Sequence, residues 1–439
     1  MTEKNLQDPR VLLLNRPLSR YQIAALSTVV ALCALDGFDV LAITYAAPGF
    51  LEEWGLSRAQ LGVALSMGLI GMALGSFFIA PLADIIGRRR MIFTCLGIMA
   101  GGMLASAFTH SLTSLCFWRV FTGIGIGCMI CLLTPLAAEY SNERRRDLAI
   151  GFMAVGYPIG GTLGGLVAAY LLDIYDWRAV FIFGSILGLV FIPLVYRWVP
   201  EPVGYLIENP KPDTLEQVNR FLARCRMPLA TDLPSPSKRS GSTPLMEIFN
   251  SENRKMTLHL TAIYALYIMS VYFFLSWTPS LITALGFSPA TAATVAVTRD
   301  FVGIVGGILT GWAAHYIGLK RLTLLVMAGM GLALIAFGRI PSDLGLIRIV
   351  AAVMGLCLYG GAIGLYAVVA RTFSTRVRAT GAGFVIGVGR VASAVAPLLG
   401  GYLFAVGFER SAVTLFMAMG ALGAAILLLV FPLRAISAE

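Results

Sequence analysis

Asp36-Gly-Phe-Asp39 puts two carboxylates three residues apart, inside a stretch that is otherwise apolar from Tyr21 to Ala47. On a helix that spacing places both on one face. A charge held at the centre of a bilayer costs roughly 2.5–3.5 kcal/mol on insertion scales, so such groups persist where a wet cavity, a partner charge or a proton compensates them. Four more ionisable residues lie deep in apolar stretches: Arg119, Arg299, Asp300 and Arg390. The three acids and three arginines cancel when all are ionised, as charges removed from water require. The two residue types do different chemistry. An aspartate can take up and release a proton when its surroundings raise its affinity for it. An arginine stays cationic and offers a planar fork that fits a carboxylate. Together they suit the movement of an organic anion coupled to a proton.

The elements that position these residues are apolar helices. The chain has 439 residues, of which 58% are hydrophobic and 13% charged, about half the charged share usual in soluble domains. Twelve apolar stretches read as membrane spans, at about 21–47, 59–82, 90–108, 112–138, 147–172, 177–199, 256–283, 290–317, 321–339, 343–371, 379–404 and 409–433. The first twenty residues are mostly polar and hold no apolar run of signal-peptide length, so the first span itself is expected to direct insertion. The 47 glycines fit close helix packing in lipid. Of the 33 lysines and arginines, 25 fall on one side of the predicted spans and five on the other. That is the positive-inside bias, with both termini cytoplasmic. The net charge of +10 is therefore topology and not a nucleic-acid footprint. The seven cysteines lie mostly in apolar spans and the three histidines are scattered, so no disulfide framework, metal site or cofactor is expected. No G-x-x-x-x-G-K-[ST] element marks an ATP site, and no nucleophile–base arrangement suggests an enzyme.

At about 1.5 Å per residue, Asp36 and Asp39 lie roughly 22 and 27 Å along the first span, in its outer half. Arg119 lies roughly 10 Å below the outer face on the fourth span, which predicts a pair between it and one of the aspartates. Arg390 falls roughly 16 Å along the eleventh span, near the midplane, where secondary transporters hold substrate. It is expected to anchor the anion, with a fixed interhelical bridge as the alternative. Arg299 and Asp300 point about 100° apart and need not pair with each other. They are kept as substrate contacts, with pairing to another helix as the alternative. Tyr157, Trp277 and Tyr359 head the aromatic residues that would wall a cavity for a flat ring, with Tyr264, Tyr267, Tyr272 and Tyr366 beside them.

The longest polar segment, 201–255, carries a Pro/Ser/Gly run and divides residues 1–200 from 256–439, six spans from six. The halves repeat weakly at an offset near 231. Asp84-Ile-Ile-Gly87-Arg88 corresponds to His315-Tyr-Ile-Gly318-Leu319, Gly75 to Gly306, and Gly151-Phe152 to Gly383-Phe384. Tyr157 takes the place in span 5 that Arg390 takes in span 11. Two six-helix repeats suit a transporter that rocks one half against the other.

The basic turn at 84–90 with Gly75 and Pro81 resembles the loop between the second and third helices of the major facilitator superfamily, and Pro200-Glu201-Pro202 is similar to the element after its sixth helix. Asp36-Gly-Phe-Asp39 with Ala47-Pro48, Arg119 followed by Gly123, Gly125 and Gly127, and Arg378-Ala-Thr-Gly381 leading to Gly389-Arg390 and Pro397 together resemble the aromatic acid:proton symporter family. The resemblance implies an all-α, twelve-helix inner-membrane protein that imports a small aromatic or related unsaturated carboxylate with protons, acting as a monomer. It also implies a gating role for Asp84, Gly87 and Arg88, with Glu139 on the same side as a partner for Arg88. Alternatives on the same fold are a dicarboxylate ring-cleavage product or a sugar as substrate, and proton-coupled efflux.

Overall fold

The computed structural model describes residues 8–234, 245–251, 253–373 and 377–431. The tails with Lys4 and Arg434, the centre of the linker at 235–244, residue 252 and residues 374–376 lie outside the described residues, as do the side chains of Asp147, Leu245, Met246, Arg378 and Ala379. Among the described residues the fold is all helical. Twelve helices are long and apolar enough to cross a membrane, matching the twelve expected spans. They are α1 (Arg20–Glu53), α2 (Arg58–Leu74), α3 (Arg88–Ala107), α4 (Leu112–Tyr140), α5 (Arg146–Ile174), α6 (Arg178–Trp198), α7 (Arg254–Thr283), α8 (Pro289–Ile317), α9 (Leu319–Arg339), α10 (Leu344–Thr372), α11 (Arg378–Ala405) and α12 (Arg410–Val430). After Leu74 the second span continues through a π-turn at Gly75–Ile79 and a 3-10 turn at Ala80–Leu82 to Ile86. Pro81 explains part of that irregularity, because it has no N–H to give to the ladder.

Local chemistry sets where several helices begin. Ser19 and Ser57 cap α1 and α2, each accepting from the backbone N–H three residues on, while Gln22 and Gln60 reach back to the cap. Helix α3 has no cap of its own. It starts at Gly87, whose φ of 111° is easy for glycine alone. The carboxylate of Glu201, from the loop after α6, accepts from the N–H groups of Arg88 at 2.6 Å and Arg89 at 3.2 Å. Burial raises the Glu201 carboxyl above the usual glutamate range, and these two backbone donors oppose that shift. In the second half Gly318 repeats the turn, with φ 87°. Lys320 there donates to the carbonyls of Leu429 and Phe431 at the end of α12, as Arg89 donates to Tyr196 at the end of α6. The latch is symmetric in this backbone capture and asymmetric in its charges.

Glycine decides which helices meet. A Cβ on Gly71 or Gly75 of α2 would stand 2.2 or 2.1 Å from carbonyls of α4, and one on Gly123 or Gly127 of α4 would stand 2.2 or 2.0 Å from carbonyls of α2. The α8–α10 seam repeats this: Gly306 faces Leu356 and Gly355 faces the Arg299 carbonyl. Such backbone contact lets dispersion and weak polar forces hold helices together where no hydrophobic effect acts. The two bundles touch along α2–α11 and α5–α8, and α1 also meets α7. Gly62 near the start of α2 packs on Pro397 and Gly401 in the last third of α11, and Gly165 of α5 packs on Val297 of α8 and Tyr45 of α1. These halves, remote from the basic turns, are closed. Residues 35–48 of α1 and 273–282 of α7 are buried without interruption, so these two helices form the centre of the molecule.

Gly160 and Gly151 of α5 give a matched test. A Cβ on Gly160 would lie 1.8 Å from the Ala34 carbonyl, whereas one on Gly151 meets nothing within 4 Å. Gly160→Leu is expected to destabilise by at least ~3 kcal/mol and to lower the yield of monodisperse protein, because backbone on both sides must move. Gly151→Leu should unfold within a few degrees of the parent. Thermal unfolding in detergent measures both.

Candidate functional site

The site grows from α1. Asp36 and Asp39 are 0% and 1% exposed, and neither Asp36 oxygen nor Asp39 Oδ1 has a hydrogen-bond partner. Protein interiors rarely tolerate an ionised carboxylate without partners, so these groups are suited to holding a proton. Arg119 of α4 is also sealed, at 1% exposure. The expected ion pair with it takes a different form. Its Nη2 donates to the backbone carbonyl of Asp39 at 3.0 Å, its Nη1 lies 3.2 Å from the Met103 sulfur, and its guanidinium stands 5.6 Å from the Phe181 ring centre. Arg119 thus grips the main chain of α1 and leaves the Asp39 carboxylate unbridged. The correction has a simple cause: Gly68 on α2 has no side chain, and the guanidinium fills that space, 3.3 Å from where a Cβ would stand.

Arg299 and Asp300 correct a second expectation. They pair with each other on the same helix, with Nε to Oδ1 and Nη2 to Oδ2 both at 2.9 Å, and both are 0% exposed. The Tyr359 hydroxyl donates to Asp300 Oδ1 at 3.1 Å and Phe274 lies 5.9 Å from the guanidinium carbon. The repeat explains the placement. Arg299 occupies the position of Gly68, and Ala351 occupies that of Arg119. Each half therefore buries one arginine in the same seam, supplied by α4 in the first half and by α8 in the second. Arg299 is neutralised by an intrahelical aspartate, whereas Arg119 gives a hydrogen bond to a carbonyl and has no bridging carboxylate.

Arg390 differs from both. It keeps part of its surface, and among the described residues its guanidinium has no hydrogen bond and no carboxylate within 4.0 Å. It stands within electrostatic range of Asp36, Tyr157, Tyr264 and Tyr272. Tyr264 packs on Gly389, where a Cβ would lie 2.1 Å from its ring, and its hydroxyl meets that of Tyr366 at 3.4 Å. The Tyr157 hydroxyl is buried with no hydrogen-bond partner. An unbridged guanidinium, an unbridged carboxylate and four tyrosines from α5, α7 and α10 thus converge between the bundles.

Of the expected aromatic wall, Tyr157 lies here. Tyr359 is engaged by Asp300. Trp277 is 1% exposed, donates to the Pro397 carbonyl at 3.3 Å and packs on Phe404, so it serves the outer α7–α11 contact. Tyr264 and Tyr272 of α7, which the sequence placed in the same wall, lie within electrostatic range of Arg390. The 84–90 turn gathers its predicted members: Arg88 is ion-paired with Glu139 of α4 and lies 3.9 Å from Asp84, beside Gly87. The residue missing from that group is Glu201, which closes the turn from the far side, and Pro200-Glu201-Pro202 was its sequence mark.

Comparison with known proteins bears on this arrangement. The family model described as Major Facilitator Superfamily matches residues 28–299. A gallate transporter of Pseudomonas putida is 30% identical over 418 residues, covering 94% of this chain and 93% of that protein. The 4-hydroxybenzoate transporter PcaK of the same organism is 28% identical, covering 90% and 89%. The 3-(3-hydroxy-phenyl)propionate transporter of Escherichia coli strain K12 is 29% identical, covering 87% and 88%. A crystal structure of a D-xylose-proton symporter superposes with a TM-score of 0.70 at 18% identity, covering 94% of this chain and 98% of that one, which speaks to the fold alone. A chain matched along nearly its whole length to transporters, with its fold shared with another, is a multi-pass membrane transporter and not an enzyme: it belongs to the Major Facilitator Superfamily and, within it, to the aromatic acid:proton symporter family.

Proposed function

We propose that this protein imports a small aromatic monocarboxylate together with protons across the cytoplasmic membrane, by alternating access. The observation that carries the reading is the unbridged Arg390 guanidinium among Tyr157, Tyr264, Tyr272 and Tyr366. A half-buried cation without a counter-ion is costly, and a carboxylate held bidentate would relieve that cost. The tyrosines supply ring faces for an aromatic body and hydroxyls for substituents on it. The relatives named for gallate, 4-hydroxybenzoate and hydroxyphenylpropionate share one chemistry, a carboxylate on a phenolic body. The other two membrane guanidinium groups are engaged within the protein, Arg299 by the Asp300 carboxylate and Arg119 by the Asp39 carbonyl, which favours a monocarboxylate over a dicarboxylate.

Coupling follows from charge. With Asp36 ionised, the region around Arg390 is neutral and gains little from an anion. A proton on Asp36 leaves Arg390 uncompensated, and the anion then completes the neutral state. Asp39 lies one helical turn outward and passes the proton to or from Asp36. On release to the cytoplasm the order reverses. The basic turns mark the cytoplasmic side. There the Arg88–Glu139 pair and the Glu201 cap hold the start of α3 on the N-terminal bundle, and their breakage would let the halves change partners.

Uptake of labelled 4-hydroxybenzoate into proteoliposomes with an imposed pH gradient tests the reading. Arg390→Ala should lower kcat/KM by about 100-fold or more, since a charge-assisted bidentate contact is worth about 3 kcal/mol. Arg390→Lys should recover little of it, because the ammonium lacks the fork. Wild-type affinity in Arg390→Ala contradicts the anchor.

Asp36→Asn and Asp39→Asn separate coupling from binding. Both are expected to abolish accumulation against a gradient while retaining counterflow exchange at a third or more of the wild-type rate. Equal loss of both activities assigns the aspartates to binding or folding instead.

A further inference from the structure

A polar cavity lies at the ends of three spans, and the side chains of its arginines have no part in the proposed transport step. It encloses about 430 Å³ between the start of α1, the start of α3, the end of α6 and the short helix Thr214–Arg224, and it adjoins a smaller hollow of about 330 Å³. Arg89, Arg90, Arg220 and Arg224 line the larger hollow, and Arg197 lines the smaller. Aromatic rings and carbonyls, not carboxylates, hold most of these arginines in place. Arg224 donates to the Tyr21 hydroxyl at 2.9 Å with its guanidinium 5.4 Å from that ring centre. Arg197 lies 4.4 Å from the Trp198 ring centre. Arg89 lies 5.3 Å from the Tyr196 ring centre and donates to that residue's carbonyl at 2.8 Å.

Three carboxylates share the wall, and each is engaged. Glu201 caps α3, and Glu216 pairs with Arg220 at 2.7 Å. The third, Asp213, accepts from Gln217. Among the described residues no carboxylate stands within 4.0 Å of the guanidinium groups of Arg89, Arg90, Arg197 or Arg224. Three of these guanidinium groups line the larger hollow and Arg197 the smaller one beside it, with N–H groups to spare, in a setting that suits a phosphate. The level fits as well. Trp198, Tyr196 and Tyr21 stand where aromatic residues mark the bilayer surface. The helix Thr214–Arg224 buries Val218, Phe221 and Leu222 against the protein and lies over the cavity with Arg220 exposed.

We propose that this cleft binds a phosphate-bearing anion, its level at the membrane surface favouring the headgroup of an acidic phospholipid as the source. Arg89 and Arg90 follow Arg88 directly, so an occupant touches the same turn of α3 that carries the Arg88–Glu139 pair.

The test titrates dioctanoyl phosphatidylglycerol, dioctanoyl phosphatidylcholine and inorganic phosphate into the purified full chain in neutral detergent, followed by calorimetry. Phosphatidylglycerol is expected to bind at least about tenfold more tightly than phosphatidylcholine, and Arg90→Gln/Arg224→Gln to lose about tenfold or more with unchanged thermal unfolding. Glu216→Gln, which frees Arg220, should tighten binding about two- to threefold and serves where the double variant misfolds. Inorganic phosphate bound as tightly as the lipid, with the same loss in the double variant, keeps the site and makes its source soluble. Equal binding of the two lipids without phosphate binding, wild-type affinity in a folded double variant, or no tightening in Glu216→Gln overturns the proposal.

Discussion

Everything about this site rests on the cost of leaving Arg390 without a counter-ion in a medium of low dielectric. The other two membrane arginines are held by the fold: Arg119 donates to the Asp39 carbonyl and Arg299 to the Asp300 carboxylate. Both are sealed, and both pin helices. Arg390 alone among the three retains surface, and the nearest acid that acts on it, Asp36, makes no bond to it. A charge that the protein leaves unbalanced is one that a permeating anion can balance.

The scaffold that makes this affordable is repetitive. Each half uses a glycine-lined seam, α2–α4 or α8–α10, to bring backbones together and to bury one arginine. The paired positions hold Gly68 with Arg119 in one half and Arg299 with Ala351 in the other, so the arginine comes from opposite helices of the repeat. The two solutions are not equal in chemistry. A guanidinium on a carbonyl leaves the aspartates of α1 free to titrate, whereas a guanidinium on its own neighbouring aspartate is electrically silent. The half that keeps its acids free is the half that carries Asp36 and Asp39.

Much of the fold was legible because lipid imposes simple rules. Span length, the glycine pattern, the positive-inside bias and the offset repeat follow from helix geometry and burial, and all twelve spans lie where the apolar stretches put them. The site was legible as a list of charges and not as a set of pairs. Depth along a helix placed Arg119 level with the aspartates, but depth carries no rotation, and the guanidinium met the carbonyl in place of the carboxylate. The 100° between successive residues argued against an Arg299–Asp300 bond, yet the long arginine side chain folds back along the helix to reach it. Pro200-Glu201-Pro202 marked Glu201 by resemblance, but its partners are backbone N–H groups, which every residue carries, so the motif did not show what it bonds.

The direct test of the central claim is the proton balance of binding. Calorimetric titration of 4-hydroxybenzoate into the purified protein, repeated in buffers of different ionisation enthalpy, gives the number of protons taken up with the anion. The account predicts net uptake in the wild type and none in Asp36→Asn. Binding that takes up no proton at any pH where the protein transports would contradict it.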